Sequence, residues 1–188
     1  MKALESLATT LPAMALSDAK AGGLAAFELL MRRHERMVLV TALRLLGDLD
    51  DAKDVSQEVF LKLYRHLGKL ETGNLAGWLY RVTVNQCRDA RRRRRPAAPG
   101  ELAAAMLSYR PDPRQNAVQA ERRKALEMSL RLLSERERAA LVLRDLQGLS
   151  TGEVARILGS SEATVRSQVC KARVKVKGFV QRYFGRRR

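Results

Sequence analysis

Residues Leu149–Lys177, LSTGEVARILGSSEATVRSQVCKARVKVK, constrain the fold more than any other stretch of the chain. Ser150 and Glu153 have the S-x-x-E spacing at which each side chain satisfies the other's backbone N–H, so a helix is predicted to start near Thr151. Val154, Ala155 and Leu158 give that helix one apolar face. Gly159 follows at once, the residue that best tolerates the left-handed backbone of a helix end. Ser160 and Ser161 are candidate caps for a second helix. Its apolar stripe, Val165, Val169, Ala172 and Val176, advances by four, three and four and stays in a narrow arc at about 100° per residue. Arg166, Ser167, Lys171, Arg173, Lys175 and Lys177 lie off that arc. From Ala163 to Arg188 there are nine Lys/Arg and no acid. A short helix, a glycine turn and a basic second helix predict a helix-turn-helix whose second helix enters a DNA major groove, its cations, Lys175 among them, offsetting phosphate charge. A plain helical hairpin would have the same length and glycine. Its solvated face would mix both signs of charge, so the missing acids favour DNA.

The rest of the chain is also helical in pattern. Leu24, Phe27, Leu30, Met31, Val38, Ala42 and Leu45 keep to one broad face, and Gly47 ends that helix. His34 lies in the stripe with no second metal-type residue nearby, which reads as a core-edge histidine. Asp48, Asp50 and Asp51 suit the start of the next helix, about 52–67, through capping and the macrodipole. Its inner positions are Val55, Val59, Leu63 and Leu67, and Asp54, Gln57 and Glu58 share a polar face. Residues 48–58 hold five acids and one base in a chain of net charge +16. That local reversal of sign suits a protein-binding face kept off DNA by repulsion. A third helix is predicted over about 75–92, capped by Asn74, with Leu75, Trp78, Leu79 and Val82 inside. Trp78 reads as packing rather than base stacking. The helix ends in Asn85, Arg88, Asp89 and the unbroken run Arg91–Arg95, which repels itself unless a polyanion is present.

Four of the five prolines fall in 96–113, which marks a linker with a possible helical patch at 102–107. Residues 1–20 have no clear period and read as a flexible leader. A helix of about 116–132 with Val118, Leu126 and Leu130 follows the linker, then Ser134 and Glu137 form a second capping box ahead of Leu141, Val142 and Leu146, with Gly148 as the stop. The expected architecture is therefore all-α: two small helical domains joined by a flexible linker, the second with the helix-turn-helix. The boundaries are 1–20 leader, 21–95 first domain, 96–115 linker and 116–188 second domain. Residues 1–95 carry 17 bases against 11 acids, and 96–188 carry 19 against 9, so the polyanion bias is strongest in the second half. Cys87 and Cys170 are the only cysteines and form no zinc pattern, so no cofactor is expected. Unpaired thiols, no signal peptide and no transmembrane run place the protein in the cytoplasm without membrane insertion.

Three segments together resemble a known family. GDLDDAKDVSQEVFLKLYRHL is similar to the polymerase-binding helix of bacterial sigma-70 sigma factors, in the extracytoplasmic-function (ECF) subgroup. GWLYRVTVNQCRDARRRRR resembles their promoter-melting and minus-ten-reading helix, and LSERERAALVLRDLQGLSTGEVARILGSSEATVRSQVCKAR their region that reads the minus-thirty-five element. The resemblance implies that Asp51, Asp54, Gln57 and Glu58 dock on the clamp of the largest subunit of core RNA polymerase. It implies minus-ten contacts by Lys69, Asn74, Asn85, Arg88, Asp89, Arg91 and Arg92. It implies upstream contacts by Ser161, Thr164, Arg166, Ser167, Lys171 and Arg173, and a possible anti-sigma partner. The chain departs from the family pattern at Ser134, usually proline, at Tyr64, often tryptophan, and at Gln168 and Cys170, often arginine and histidine.

Two other readings compete. A conventional regulator explains 134–177 but leaves Asp48–Glu58 and the arginine helix without a purpose. A nucleic-acid enzyme needs Asp48, Asp50, Asp51 and Asp54 to hold a metal, at a capped helix start with no general base close by.

Overall fold

The computed structural model describes residues 23–70, 74–93 and 117–185. Among them are seven α-helices and no strand. Helices α1 (Leu24–Leu46), α2 (Leu49–His66) and α3 (Leu75–Arg93) form the first group, with a 3-10 turn at Leu67–Lys69. Helices α4 (Ala117–Leu130), α5 (Glu135–Leu141), α6 (Thr151–Leu158) and α7 (Glu162–Gly185) form the second. The expected leader, the Arg94–Arg95 end of the arginine run, the linker and its patch at 102–107 lie outside the described residues.

Local chemistry explains the boundaries. Gly47 closes α1 at φ 78°, and its N–H donates to the Leu43 carbonyl. Helix α2 starts three residues earlier than its apolar period indicates, because the Asp48 carboxylate accepts from the Asp51 N–H at 2.9 Å and caps it. Both predicted capping boxes form, with Ser134 and Glu137 opening α5 and Ser150 and Glu153 opening α6. One feature has no simple period in the sequence. The chain leaves α5 through a π-helical turn, Val142–Leu146, before Gly148. The wider turn rotates Asp145 and Gln147 away from the positions a continued α-helix would give them.

The core of the first group is Leu30, Val38, Ala42, Val59, Leu63, Leu79 and Val84, each almost fully buried. That of the second is Leu143, Val142, Val154, Val165 and Ala172. Each large aliphatic side chain so buried contributes about 1.5–3 kcal/mol, several times a surface ion pair at about 0–1 kcal/mol, so apolar packing decides the fold. The predicted α7 stripe holds: Val165, Val169 and Ala172 are buried and Val176 is half-buried. Trp78 packs against the core, half-buried.

The two groups also pack on each other. Gln147 donates to Thr41 Oγ1 at 3.1 Å and accepts from the Tyr80 hydroxyl at 3.2 Å. Arg44 donates to the Leu146 carbonyl at 3.3 Å, and Arg81 to the Arg156 carbonyl at 3.1 Å. Arg138, only 4% exposed, donates to the Leu45 carbonyl of α1 at 2.8 Å and to Leu130, Arg131 and Leu133 at the end of α4.

Candidate polymerase and nucleic-acid interfaces

Three exposed surfaces carry the charge patterns singled out in the sequence. The first is on α2. Asp54, Gln57 and Glu58 are exposed and three to four residues apart, so one turn presents all three. Asp51, one turn before Asp54 on the same side, is half-buried, and its N–H is the donor that the Asp48 carboxylate caps. Lys53 pairs with Asp50 at 3.3 Å. Among the described residues no group of three or more His, Cys, Asp or Glu could hold a metal ion, and Asp48 and Asp50 are engaged as cap and ion-pair partner.

The sequence pattern missed how this surface continues. Leu61 and Tyr64 follow on the same side, 48% and 61% exposed. With Leu24, Phe27, Met31, Leu39 and Phe60 they line an apolar groove of about 580 Å³ between α1 and α2, which Gln57 also edges. Phe27 and Tyr64 meet edge to face at 5.3 Å. A signal was available: Leu61 and Tyr64 lie seven and ten residues after Asp54, on the polar face of the wheel, where apolar residues do not belong in a solvated helix.

The second surface is α3 with the turn before it. Asn85, Asp89 and Arg92 are exposed at spacings of four and three and form one stripe. Arg81 extends it by one turn, a position the motif reading passed over. Lys69 is exposed on the 3-10 turn. Asn74 is exposed, and its Oδ1 accepts from the Gly77 N–H at 3.0 Å. Gly77 makes room for this cap, since a Cβ there would sit 2.5 Å from the Asn74 side chain. Arg88 and Arg91 do not join the stripe. They are half-buried and line a crevice with Glu135, Arg138 and Ala139 of α5, where Arg91 reaches Glu135 at 3.8 Å. Asn74 likewise lines a cleft of about 220 Å³ with Glu153 and Arg156 of α6. The expected minus-ten set is thus split: Asn85, Asp89, Arg92 and Lys69 face outward, while Asn74, Arg88 and Arg91 border the second group of helices.

The third surface is the helix-turn-helix. Gly159 turns the chain at φ 61°, and Ser161 is the cap, its Oγ accepting from the Thr164 N–H at 3.1 Å. Ser161, Thr164, Arg166, Ser167 and Lys171 are all exposed on α7. Arg166 pairs with Glu162 of its own first turn, at 3.2 Å. Two cations expected to face DNA are tied elsewhere. Lys175 Nζ donates to both oxygens of Glu137, at 2.7 and 2.9 Å. This contact, with the Ser134 cap, holds the Glu137 carboxyl below its usual range. Arg173 donates Nε–H and Nη2–H to Asp145 at 2.8 and 2.7 Å, which raises the guanidinium above its usual range. Acids absent from residues 163–185 reach α7 through the tertiary fold. Lys175 is therefore a partner of the α5 cap and not the free phosphate contact the wheel suggests.

No helix among the described residues is long and apolar enough to cross a membrane. The family model for sigma-70 region 2 matches residues 30–97, and that for sigma-70 region 4 matches residues 123–176. The chain is 33% identical over 157 residues to the ECF RNA polymerase sigma factor SigE of Mycolicibacterium smegmatis, covering 82% of this chain and 61% of that one, so it spans under two thirds of that relative's length. It is 33% identical over 159 residues to the ECF sigma factor SigM of Mycobacterium tuberculosis, covering 83% of this chain and 78% of SigM. Among solved structures, CnrH in complex with the cytosolic domain of CnrY is similar at TM-score 0.67 and 25% identity, over 91% of this chain and 97% of that one. The fold is also that of the sigma factor RpoE in complex with the anti-sigma factor NepR from Bartonella quintana, at TM-score 0.63 and 21% identity, over 82% and 96%. With both regions matched in order and a relative a third identical over most of its length, the chain belongs to the ECF group of sigma-70-family RNA polymerase sigma factors.

Proposed function

We propose that this sigma factor divides promoter-directed initiation among its three surfaces. The α2 face of Asp54, Gln57 and Glu58, with Asp51 one turn before Asp54, docks on the clamp of the polymerase largest subunit. The apolar groove beside it supplies buried area that carboxylates alone cannot. Lys69, Asn74, Asn85, Arg88, Asp89, Arg91 and Arg92 serve the minus-ten strand, and unpaired bases held there cost a few kcal/mol to unstack. Ser161, Thr164, Arg166, Ser167 and Lys171, with Arg173 at the flank, serve the upstream element. The linker 96–115 joins the two domains, so the second DNA contact forms at raised effective concentration. The chain contributes binding and no chemical step, and it acts in the cytoplasm with core polymerase. An anti-sigma factor, as in the RpoE–NepR complex, is the proposed inhibitory partner.

The observation that carries this reading is the separation of sign by face: exposed acids on α2, exposed cations on α3 and α7. A conventional regulator has no use for the first. Geometry adds a requirement. By their names, a minus-ten and a minus-thirty-five element lie about 25 base pairs apart, about 85 Å along B-DNA at about 3.4 Å per pair. Here α3 and α6 touch, through Arg81 and the Arg156 carbonyl. One molecule cannot reach both elements in this arrangement, so its halves separate on the promoter. Twenty linker residues span about 70 Å when extended, and the helices they join, 19 residues in α3 and 24 in α7, are themselves about 29 and about 36 Å long, so linker and helices together cover that separation. The test is abortive transcription by core polymerase, with and without the chain, on a randomised promoter library. Chain-dependent products from a defined pair of elements are expected. Products of equal yield without the chain would overturn the reading.

A further inference from the structure

Helix α7 has a cation whose partner lies on another element and has no other duty. Glu137, which binds Lys175, is buried and completes the α5 capping box, so that pair belongs to the scaffold. Asp145 differs. It lies on the π-helical turn, outside any cap, and both its carboxylate oxygens accept from Arg173. Arg173 is itself 62% exposed and lines an open groove with Arg144, Arg166, Cys170 and Thr151. It therefore sits beside the DNA-facing Arg166 while its charge is matched by a carboxylate held at 2.7 Å. Two forked hydrogen bonds take up one edge of the guanidinium, leaving Nη1 and one Nη2 proton to reach a phosphate.

We propose that Asp145 is a positioning residue that sets promoter specificity: it fixes Arg173 in one pose on the flank of α7 and cancels its charge until DNA arrives. An untied arginine here would be a long cation able to reach any phosphate, strengthening binding to every sequence alike. The fork withholds that sequence-independent gain and leaves discrimination to Arg166 and its neighbours. This inference rests on α7 being the upstream DNA helix.

The experiment uses the reconstituted complex of core polymerase with the full chain. Binding to the promoter selected above and to a scrambled duplex is measured across a salt series. Asp145→Asn keeps the size of the side chain and removes its charge. It should tighten scrambled-duplex binding, steepen the log–log salt slope by about 0.9, one phosphate equivalent, and lower the promoter-to-scrambled ratio roughly five-fold. Asp145→Glu should restore the parental slope. Arg173→Gln should weaken both duplexes by leaving a carboxylate near phosphate, and adding Asp145→Asn to it should recover that loss. A parental slope and ratio in Asp145→Asn would overturn the proposal. Arg166→Ala separates the two possible failures. If it loses discrimination while Asp145→Asn is parental, only the role of Asp145 falls. If neither variant loses discrimination, the α7 assignment falls with it.

Discussion

Arg138 shows how far a single residue can act. Its guanidinium is buried and is pulled down to about 10 by desolvation, against the opposing charge of Glu135. It persists because four main-chain carbonyls surround it, three at the end of α4 and one at Leu45. Charged hydrogen bonds of this kind contribute about 1.5–3 kcal/mol each, and stranded carbonyls cost about 1–3 kcal/mol. Arg138→Met should therefore destabilise the chain by about 3 kcal/mol, read from the urea midpoint at unchanged slope. A loss under about 1 kcal/mol would mean that water replaces the fork. Sequence alone marks Arg138 only as one cation among several. The same scale separates the two thiols. Burial pushes the Cys87 thiol up to about 12, whereas Cys170 is exposed. The sign follows from linkage: below about pH 9 both folded and unfolded Cys87 are protonated, and stability is lost as pH rises from there toward 12. At pH 8 iodoacetamide should label Cys170 alone, with Cys87 labelled only after unfolding. Fast labelling of both by peptide mass spectrometry would contradict the burial.

At the scale of elements, the amphipathic period located α1, α2, α3, α6 and α7, and the capping residues set several of their ends. Ser134–Glu137 and Ser150–Glu153 succeed because a capping box is a contact between residues three apart, complete within the sequence window. The π-helical turn at Val142–Leu146 was not legible, since it depends on how α5 must enter the helix-turn-helix. The α2 surface was legible in its acids and not in its groove, because Leu24, Phe27 and Met31 come from α1. Replacing Asp54 and Glu58 together by arginine should weaken core polymerase binding more than ten-fold, through like-charge contact at the docking face. Upstream duplex binding by α7 should stay within two-fold by the same reasoning. Unchanged affinity for core in a pull-down titration would remove α2 from the interface.

For the molecule as a whole, the contact between the two helical groups is the feature with most consequence. Gln147, Arg44, Arg81 and Arg138 reach from one group to the other, and Arg88, Arg91 and Asn74 border the seam. This arrangement leaves the α7 face exposed while it borders part of the proposed minus-ten set. Joining Arg81→Cys to Arg156→Cys with a short bis-maleimide, in a Cys170→Ser background, should hold the halves together. Transcription should then fall more than ten-fold relative to the unlinked double variant, because 85 Å cannot be bridged from a closed chain. Equal activity of linked and unlinked protein would show that the seam does not need to open.

What the amino-acid order determined unaided was everything set within a turn or two of helix: helical class, caps, apolar stripes, the segregation of acids to α2 and cations to α3 and α7, and the family these motifs resemble. What only the tertiary structure decided was which charges remain available. Asp145 and Glu137 lie 28 and 38 residues from the cations they bind, and Arg91 meets Glu135 across the seam. No helical period reports a partner at that separation, because Coulomb pairing depends on distance in space and not on distance along the chain.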